Sequence, residues 1–290
     1  MPLVRTLLAG VASFFWMVSA FAQDRITFPS NDADVTKGPA TVLTGLLYRP
    51  AGDGPFPAVV LLHGCSGLYR PDGRTLTARH DDWAQRLHHH GYVVLHVDSF
   101  GPRGLGSICS IKERSIRASI ERARDAYGAL LYLQSLPFVR RDRIGLMGWS
   151  HGGITTLWTI RTGSAARPRG LAHDFRAAVA FYPGCRDALA SGLDWGTRIP
   201  LMLLVGEKDD WTAPAPCVEL AARSRGRGQP VEIVVYPDAY HDFDAPAVPL
   251  RKLANIATTE SGTATVGTNP AARADTLERV PGFFAQHLRN

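Results

Sequence analysis

The 290-residue sequence lacks the compositional biases that mark several classes of protein. It has only 4 cysteines, 20 prolines and 28 glycines, which excludes a small disulfide scaffold, a collagen-like repeat and a disordered chain. Internal repeats and low-complexity linkers are also missing. The excess of basic over acidic residues is slight, at 32 against 26, and the arginines are scattered. We therefore expect no nucleic-acid partner, since such binding depends on a concentrated basic patch.

Long apolar runs are absent too, apart from one near the N-terminus. Arg5 precedes an apolar stretch over residues 7–18, and a small-x-small cleavage motif follows at residues 20–22. This order is typical of a secretory signal peptide. We expect a cleaved signal over residues 1–22 and a soluble, secreted or periplasmic chain with no stable membrane span. The alternative is a retained N-terminal anchor, which the shortness of the apolar stretch disfavours.

The four cysteines acquire a specific meaning if the chain is exported. An even number in an oxidising compartment favours two disulfides over metal ligands or free nucleophiles, and no metal-type Cys/His spacing is present. Three connectivities are possible. Cys65 and Cys109 follow adjacent predicted strands, as do Cys185 and Cys217, so we predict these two pairs.

Strand-like and helix-like segments alternate from about residue 40 onwards. The predicted strands are short and mostly apolar, and they cover residues 41–48, 58–62, 92–97, 144–147, 177–181, 200–205 and 231–235. The predicted helices cover 81–90, 115–136, 154–160, 216–224 and 271–288, the last interrupted at Pro281-Gly282. Apolar strands separated by helices indicate an α/β fold with a mainly parallel sheet covered on both faces. We predict one domain over residues 23–290, in which residues 258–270 form a surface loop or, alternatively, a lid over the site.

The most informative motif is G-x-S-x-G at residues 148–152. It follows an apolar strand and precedes a helical segment, which is the context of a nucleophile elbow. A serine at such a sharp turn stands clear of the sheet, and the flanking glycines avoid steric collision. We therefore predict that Ser150 is a catalytic nucleophile.

A serine hydroxyl needs a histidine to accept its proton and an acid to orient that histidine. In this architecture the acid and the histidine follow the serine along the chain, each just after a strand. His241 meets this requirement on the loop after the last apolar strand. Asp209 and Asp210 both follow the preceding strand, and spacing hardly separates them, although we prefer Asp209.

Other residues near these positions are candidates for binding the substrate. The backbone N–H groups of Cys65 and His151 are the predicted oxyanion donors, because one follows a His-Gly loop after a strand and the other follows the nucleophile. Trp149 and Trp211 lie next to Ser150 and to the acidic pair. They either line an aromatic acyl pocket or support the core.

Six segments together resemble the dienelactone hydrolase family of lidless α/β-hydrolases, namely residues 62–67, 98–104, 148–153, 181–185, 206–209 and 239–243. The resemblance implies an α/β-hydrolase fold with about eight strands and no large lid domain. It also implies that Asp209 is the acid and His241 the base. Arg103 occupies the place of the family's arginine for the substrate carboxylate, with an ion pair that fixes its own loop as the alternative.

The sequence departs from the founding members of that family at two positions. They have a cysteine nucleophile and a glutamate in the oxyanion loop, where this chain has Ser150 and Gly64. The resemblance therefore implies hydrolysis of esters or lactones rather than of dienelactone itself.

These observations predict a secreted serine hydrolase that cleaves carboxylic esters or lactones through an acyl-enzyme. We expect a small-molecule substrate, no metal or organic cofactor, and a monomer or homodimer. One alternative is a serine peptidase of the prolyl-oligopeptidase type, whose elbow also reads G-x-S-x-G-G but whose members usually carry a large N-terminal propeller. The other is a non-catalytic binding protein on the same fold.

Overall fold

The computed structural model describes residues 23–191 and 195–289, so the predicted signal peptide lies outside the described residues. The strands are β1 (Gln23–Pro29), β2 (Val42–Tyr48), β3 (Phe56–Leu62), β4 (Val93–Asp98), β5 (Val139–Trp149), β6 (Ala177–Phe181), β7 (Leu201–Gly206), β8 (Val231–Tyr236), β9 (Arg251–Ala254) and β10 (Thr263–Val266). The helices are α1 (Ala33–Thr36), α2 (Ala78–His89), α3 (Glu121–Ser135), α4 (His151–Ile160), α5 (Arg186–Ala190), α6 (Ala215–Gly226) and α7 (Pro270–Leu288). Within these ranges, none of the helices combines the length and the apolar character needed to cross a bilayer.

Eight of the strands form one sheet, in the order β1-β2-β4-β3-β5-β6-β7-β8. The pairs from β4 across to β8 are parallel, whereas β1 pairs antiparallel with β2, and β2 with β4. The prediction of a mainly parallel sheet is confirmed. Strands β9 and β10 form a separate antiparallel hairpin, which the sequence pattern did not reveal.

Strands β3, β6 and β7 are apolar at every position because both faces of the sheet are covered. In β3, Val60 and Leu62 face one hydrophobic cluster, to which α3, α4 and α6 contribute, while Val59 and Leu61 face a second cluster formed with α2 and α7. All four side chains are fully buried. The alternation follows from the two-residue period of a β-strand.

Most predicted helices agree with the structure to within about three residues, but α3 and α7 each depart from the prediction in one respect. Helix α3 begins at Glu121 rather than at residue 115, because Ile116 packs into a small separate cluster with Cys65 and Phe100. Helix α7 continues through Pro281, so the predicted interruption there was wrong. Buried residues on both sides of that proline, among them Val280 and Phe284, pack against the sheet and hold the two halves in line.

The parallel arrangement determines where the loops meet. The carboxyl ends of parallel strands lie at one edge of a sheet, and ligands of open α/β sheets bind outside that edge. The segments after β3, β5, β7 and β8 therefore converge, and these segments carry the candidate site residues.

Candidate active site

The serine of the G-x-S-x-G motif lies at the turn between β5 and α4. Ser150 has φ +52° and ψ −115°, a positive-φ conformation that residues with a side chain rarely adopt. Its backbone N–H donates to the carbonyl of Phe181 on β6 at 3.0 Å, which holds the turn against the sheet. Strained conformations of this kind cluster at functional sites.

Two glycines of the motif are required by close backbone approaches. A Cβ atom on Gly148 would lie 2.2 Å from the carbonyl oxygen of Gly152, and one on Gly152 would lie 2.1 Å from that of Leu62. Both distances are far shorter than a van der Waals contact, so only glycine fits. The glycines thus allow β3, β5 and the start of α4 to pack closely around the serine.

His241 and Asp209 meet at the same edge of the sheet. Nδ1 of His241 donates to Oδ2 of Asp209 at 2.8 Å. The other oxygen of this carboxylate accepts from the backbone N–H groups of Trp211 and Thr212, both at 2.9 Å. The Thr212 hydroxyl also donates to Oδ2 at 2.9 Å, so four hydrogen bonds fix the orientation of the buried carboxylate, and the carboxylate in turn fixes the imidazole.

Asp209 also governs the proton affinity of His241. Burial lowers the pKa of the imidazole, but the charge of Asp209 and its hydrogen bond together outweigh burial, so the pKa is raised above its ordinary value of 6.5. Asp210 lies elsewhere, because its two oxygens accept from the backbone N–H and the hydroxyl of Thr265, both at 2.7 Å. The structure thus places Asp209, and not Asp210, against the histidine.

The second nitrogen of His241 is buried, and it has no hydrogen-bond partner among the described residues. The Ser150 hydroxyl is accordingly not hydrogen-bonded to it in this structure. The two residues flank the end of β6, since Ser150 is bonded to Phe181 and the ring of Tyr182 contacts the imidazole with centroids 4.4 Å apart. Catalytic hydrogen bonds are often long in a substrate-free enzyme and shorten when substrate binds.

The loop after β3 forms a second wall beside the serine. A Cβ atom on Gly64 would lie 3.6 Å from the Cβ of Ser150, so the loop runs directly against this serine. Cys65 and His151 both line the cavity. Neither of their backbone N–H groups donates a hydrogen bond to another described residue. Two unengaged donors beside a serine are what an oxyanion hole requires.

Two disulfides stabilise the walls of the site, and both pairs agree with the prediction. Cys65–Cys109 joins the loop after β3 to the segment before α3, with a Cα–Cα distance of 5.1 Å. Cys185–Cys217 joins the segment after β6 to α6, at 5.0 Å. Both distances lie in the usual range for a disulfide.

A cavity of about 620 Å³ opens above Ser150. Its charged lining consists of four basic side chains and one acidic one: Lys112, Arg114, Arg117, Arg186 and Asp187. Arg117 is ion-paired with Glu121. Arg114 instead donates to two backbone carbonyls, those of Ile108 and Ile111, and burial lowers its pKa. The cavity lining therefore carries more positive than negative charge.

The loop of the β9–β10 hairpin also forms part of the cavity wall. Trp211 Nε1 donates to the Thr258 hydroxyl at 3.1 Å, and Ala257 N–H donates to the Cys109 carbonyl at 3.1 Å. Val266 forms a β-bridge with His241. The prediction that residues 258–270 form a plain surface loop was therefore wrong, because this segment is part of the wall of the site.

Comparison with known proteins agrees with this architecture. A family model described as the dienelactone hydrolase family matches residues 43–288. The chain belongs to the dienelactone hydrolase family. The solved structure of a dienelactone hydrolase-like promiscuous phosphotriesterase from metagenomic libraries superimposes with a TM-score of 0.65 and 18% identity, over 92% of this chain and 99% of that one. At that identity the likeness shows the shared α/β-hydrolase fold alone.

Sequence relatives of this family member include hydrolases of two kinds. A Bradyrhizobium protein named a probable 2-oxo-3-(5-oxofuran-2-ylidene)propanoate lactonase is 25% identical over 205 residues, which cover 68% of this chain and 77% of that protein. A probable dipeptidyl-aminopeptidase B from Fusarium vanettenii is 35% identical over 103 residues, 35% of this chain. The matched stretch covers only 11% of the peptidase.

Arg103 does not reach the cavity in this dienelactone hydrolase family member. Its guanidinium donates to both oxygens of Asp125 at 2.8 Å, and to Asp32 at 2.9 Å. A fourth bond reaches the Ser99 carbonyl at 2.8 Å. The prediction that Arg103 binds a substrate carboxylate was wrong, because these acids already occupy its donors. The alternative, an ion pair that fixes its own loop, is what the structure shows.

The two tryptophans have different surroundings. Trp149 is fully buried beneath the serine, and its Nε1 donates to Asp244 at 2.9 Å, so it supports the core and does not line the cavity as predicted. Trp211 does line the cavity, and its ring lies 4.7 Å from that of His241 between centroids.

Arg122 on α3 was not among the predicted site residues, yet it is fully buried and bonded to His151. One signal was available. Arg122 is followed at helical spacing by Ala126, Leu130 and Leu133, all of which face the core. The helical period therefore placed a charged residue on an apolar face, which is a mark of a functional or paired group.

Proposed function

We propose that this chain is a serine hydrolase of carboxylic esters or lactones that works through an acyl-enzyme. The observation that carries the proposal is the hydrogen bond between His241 and Asp209, at the edge of the sheet that also carries a serine held at a positive-φ turn on the cavity wall. The aligned acid and histidine supply a base, the turn presents a nucleophile, and the cavity supplies space for an ester.

In the first half of the reaction, Ser150 Oγ attacks the substrate's carbonyl carbon while Nε2 of His241 accepts the hydroxyl proton. The carbonyl electron pair moves to the oxygen, and this oxyanion accepts hydrogen bonds from the N–H groups of Cys65 and His151. Asp209 stabilises the imidazolium. When the tetrahedral intermediate collapses, the bond to the leaving oxygen breaks and the imidazolium protonates that oxygen, which leaves an ester on Ser150.

Water completes the cycle. His241 removes a proton from a water molecule, whose oxygen attacks the acyl carbon. The bond to Ser150 Oγ then breaks, and the imidazolium returns the proton to the serine. The products are a carboxylic acid and an alcohol, or a single hydroxy acid when the substrate is a lactone.

We further propose that the substrate carries a negative charge away from the scissile bond. Arg114, Lys112 and Arg186 line the cavity, and none of them forms an ion pair with another described residue. Unpaired cations in a concave site attract anionic substrates. Since Arg103 is occupied by two acids, this role passes to the cations of the cavity wall.

The two disulfides support export from the cytoplasm, because such bonds persist in oxidising compartments.

A second candidate activity is peptide hydrolysis. It is favoured by the stretch of 103 residues that is 35% identical to a probable dipeptidyl-aminopeptidase. We prefer hydrolysis of esters or lactones, since the match with the probable lactonase covers a much larger share of this chain and of the relative than the match with the peptidase does.

A panel of p-nitrophenyl esters, lactones and blocked dipeptide amides tests the activity, with Ser150→Ala as the inactive variant. We expect ester turnover and fluorophosphonate labelling in the wild type, and neither in Ser150→Ala at an unchanged thermal melt. Turnover that persists in Ser150→Ala would refute the mechanism, and cleavage of amides alone would favour the peptidase.

A matched pair of variants tests the proposed preference for anionic substrates. Arg114→Met removes a cavity cation, and Arg225→Met removes an exposed cation at the end of α6 with the same change in net charge. We expect only Arg114→Met to lower kcat/KM for carboxylate-bearing esters relative to neutral ones. An equal effect of both variants, or of neither, would contradict an anionic substrate.

A further inference from the structure

Arg122 is a guanidinium buried next to the nucleophile without an acidic partner. Its side chain is fully buried, and no carboxylate of a described residue lies within ion-pair distance of it. The other buried arginines of this region differ, since Arg103 is paired with Asp125 and Arg124 with Asp34. Burying an unpaired charge is unfavourable, so its persistence here calls for a reason.

The hydrogen bonds of Arg122 supply that reason. One terminal nitrogen donates to the backbone carbonyl of His63, and the other contacts Nδ1 of His151, both at 2.8 Å. The guanidinium also lies over the ring of Phe100, with its central carbon 5.1 Å from the ring centroid. Arg122 therefore bridges the end of β3 and the start of α4.

The two bridged segments are those that carry the candidate oxyanion donors. His63 lies two residues before Cys65, and His151 itself carries the second N–H. The two segments are far apart in sequence, and the planar fork of an arginine holds two acceptors in a fixed relation that a single ammonium group does not reproduce.

The protonation state of His151 fits this bridge. Burial, and then the charge of Arg122, hold the pKa of the His151 imidazole well below its ordinary value. The ring is therefore neutral, its Nδ1 accepts from the guanidinium, and its own proton lies on Nε2. Burial lowers the pKa of Arg122 to about 9, so the guanidinium is still a cation at neutral pH.

We propose that Arg122 is the positioning residue of the oxyanion hole: it holds the Cys65 and His151 N–H groups in register on either side of Ser150. The proposal rests on the proposed hydrolase function for its catalytic consequence. Its structural half, the bridging of two segments, does not depend on any substrate.

The test compares Arg122→Met with Arg124→Met, a matched variant that removes another buried arginine two residues further along the same helix. We expect Arg122→Met to lower kcat for a p-nitrophenyl ester by about a hundredfold, the effect of losing an oxyanion donor. KM should change by less than about threefold, because the interaction acts on the transition state. A phenylboronic acid, which forms a tetrahedral adduct with the serine, should bind more weakly by a factor similar to the loss in kcat.

Hydrogen exchange supplies a readout that does not require turnover. Amides of residues 64–67 and 151–153 should exchange faster in Arg122→Met than in the wild type, and at the wild-type rate in Arg124→Met. Arg122→Lys keeps the charge but loses the planar fork of the guanidinium. Its kcat should therefore lie between the values of the wild type and of Arg122→Met. It also replaces Arg122→Met in every measurement if the latter does not fold.

The proposal is overturned if Arg122→Met, or Arg122→Lys in its place, keeps wild-type kcat and wild-type exchange in both segments. It is also overturned if Arg124→Met shows the same losses, since these would then reflect general destabilisation. A wild type that hydrolyses no ester refutes the proposed function, while the exchange rates still decide whether Arg122 bridges the two segments.

Discussion

Replacing Asp209 by asparagine should inactivate the enzyme through the tautomer of His241. Oδ1 of Asp209 accepts two backbone N–H bonds, from Trp211 and Thr212, so the amide oxygen of an asparagine must stay at that end. The amide NH₂ then faces His241 Nδ1, which has to become an acceptor. The imidazole proton then lies on Nε2, and this nitrogen can no longer accept the proton of the Ser150 hydroxyl. In serine proteases an inversion of this kind lowers kcat by about 10⁴-fold, equivalent to about 5 kcal/mol of transition-state stabilisation.

Asp210→Asn is the matched control for this prediction. Asp210 accepts from the backbone N–H and hydroxyl of Thr265 and does not contact His241, so we expect kcat within about threefold of wild type and a small loss of stability. The assay is initial-rate hydrolysis of a p-nitrophenyl ester, with a thermal melt to confirm folding. Residual activity of Asp209→Asn above about a tenth of wild type would refute the tautomer argument. So would an equal loss in Asp210→Asn.

Three further predictions concern pH, an ion pair and a disulfide. Log kcat/KM should fall as the pH drops below a midpoint above 6.5, because His241 accepts a proton only when neutral and its pKa is raised; a midpoint well below 6.5 would contradict this. Arg103→Met leaves the buried Asp125 without its cation and should cost about 3–5 kcal/mol in a denaturant melt, without altering any preference for anionic esters. Replacing Cys65 and Cys109 together by alanine should cost about 4 kcal/mol of stability for a separation of 44 residues, and should lower kcat more than removal of the other disulfide does.

The order of the strands along the chain and their burial could be predicted from local pattern. Strands β3 to β8 consist of short apolar runs, which indicate a sheet covered on both faces, and seven of the ten strands were predicted to within a few residues. Strand β1 and the β9–β10 hairpin were not predicted, because their residues are mostly polar or show only a weak alternation of apolar and polar side chains. Hydrogen bonds from Thr265 to Asp210 and from Trp211 to Thr258 hold that hairpin in place, and no local pattern encodes them.

Helix α7 shows that tertiary packing can also override a local signal in the sequence. A proline within a helix removes a backbone hydrogen bond and crowds the preceding turn, so an interruption at Pro281 was the reasonable expectation. The ring of Phe284 packs so closely on Gly145 of β5 that a Cβ atom there would lie 2.8 Å from it. This packing, a contact between residues far apart in sequence, outweighs the local preference.

For the candidate site, sequence alone determined the identity and order of the chemical groups: a serine between two glycines after one strand, an acidic pair after another, and a histidine after the last. These assignments follow from the geometry of a parallel sheet, in which strand ends meet at one edge. The tertiary structure decided which of these groups contact one another. It assigned Asp209 to His241 and Asp210 to the hairpin, occupied Arg103 with two acids, buried Trp149 and brought Arg122 between two distant segments. The physical reason is that hydrogen bonds and ion pairs depend on distances of about 3 Å between atoms, which residue order along a chain does not specify.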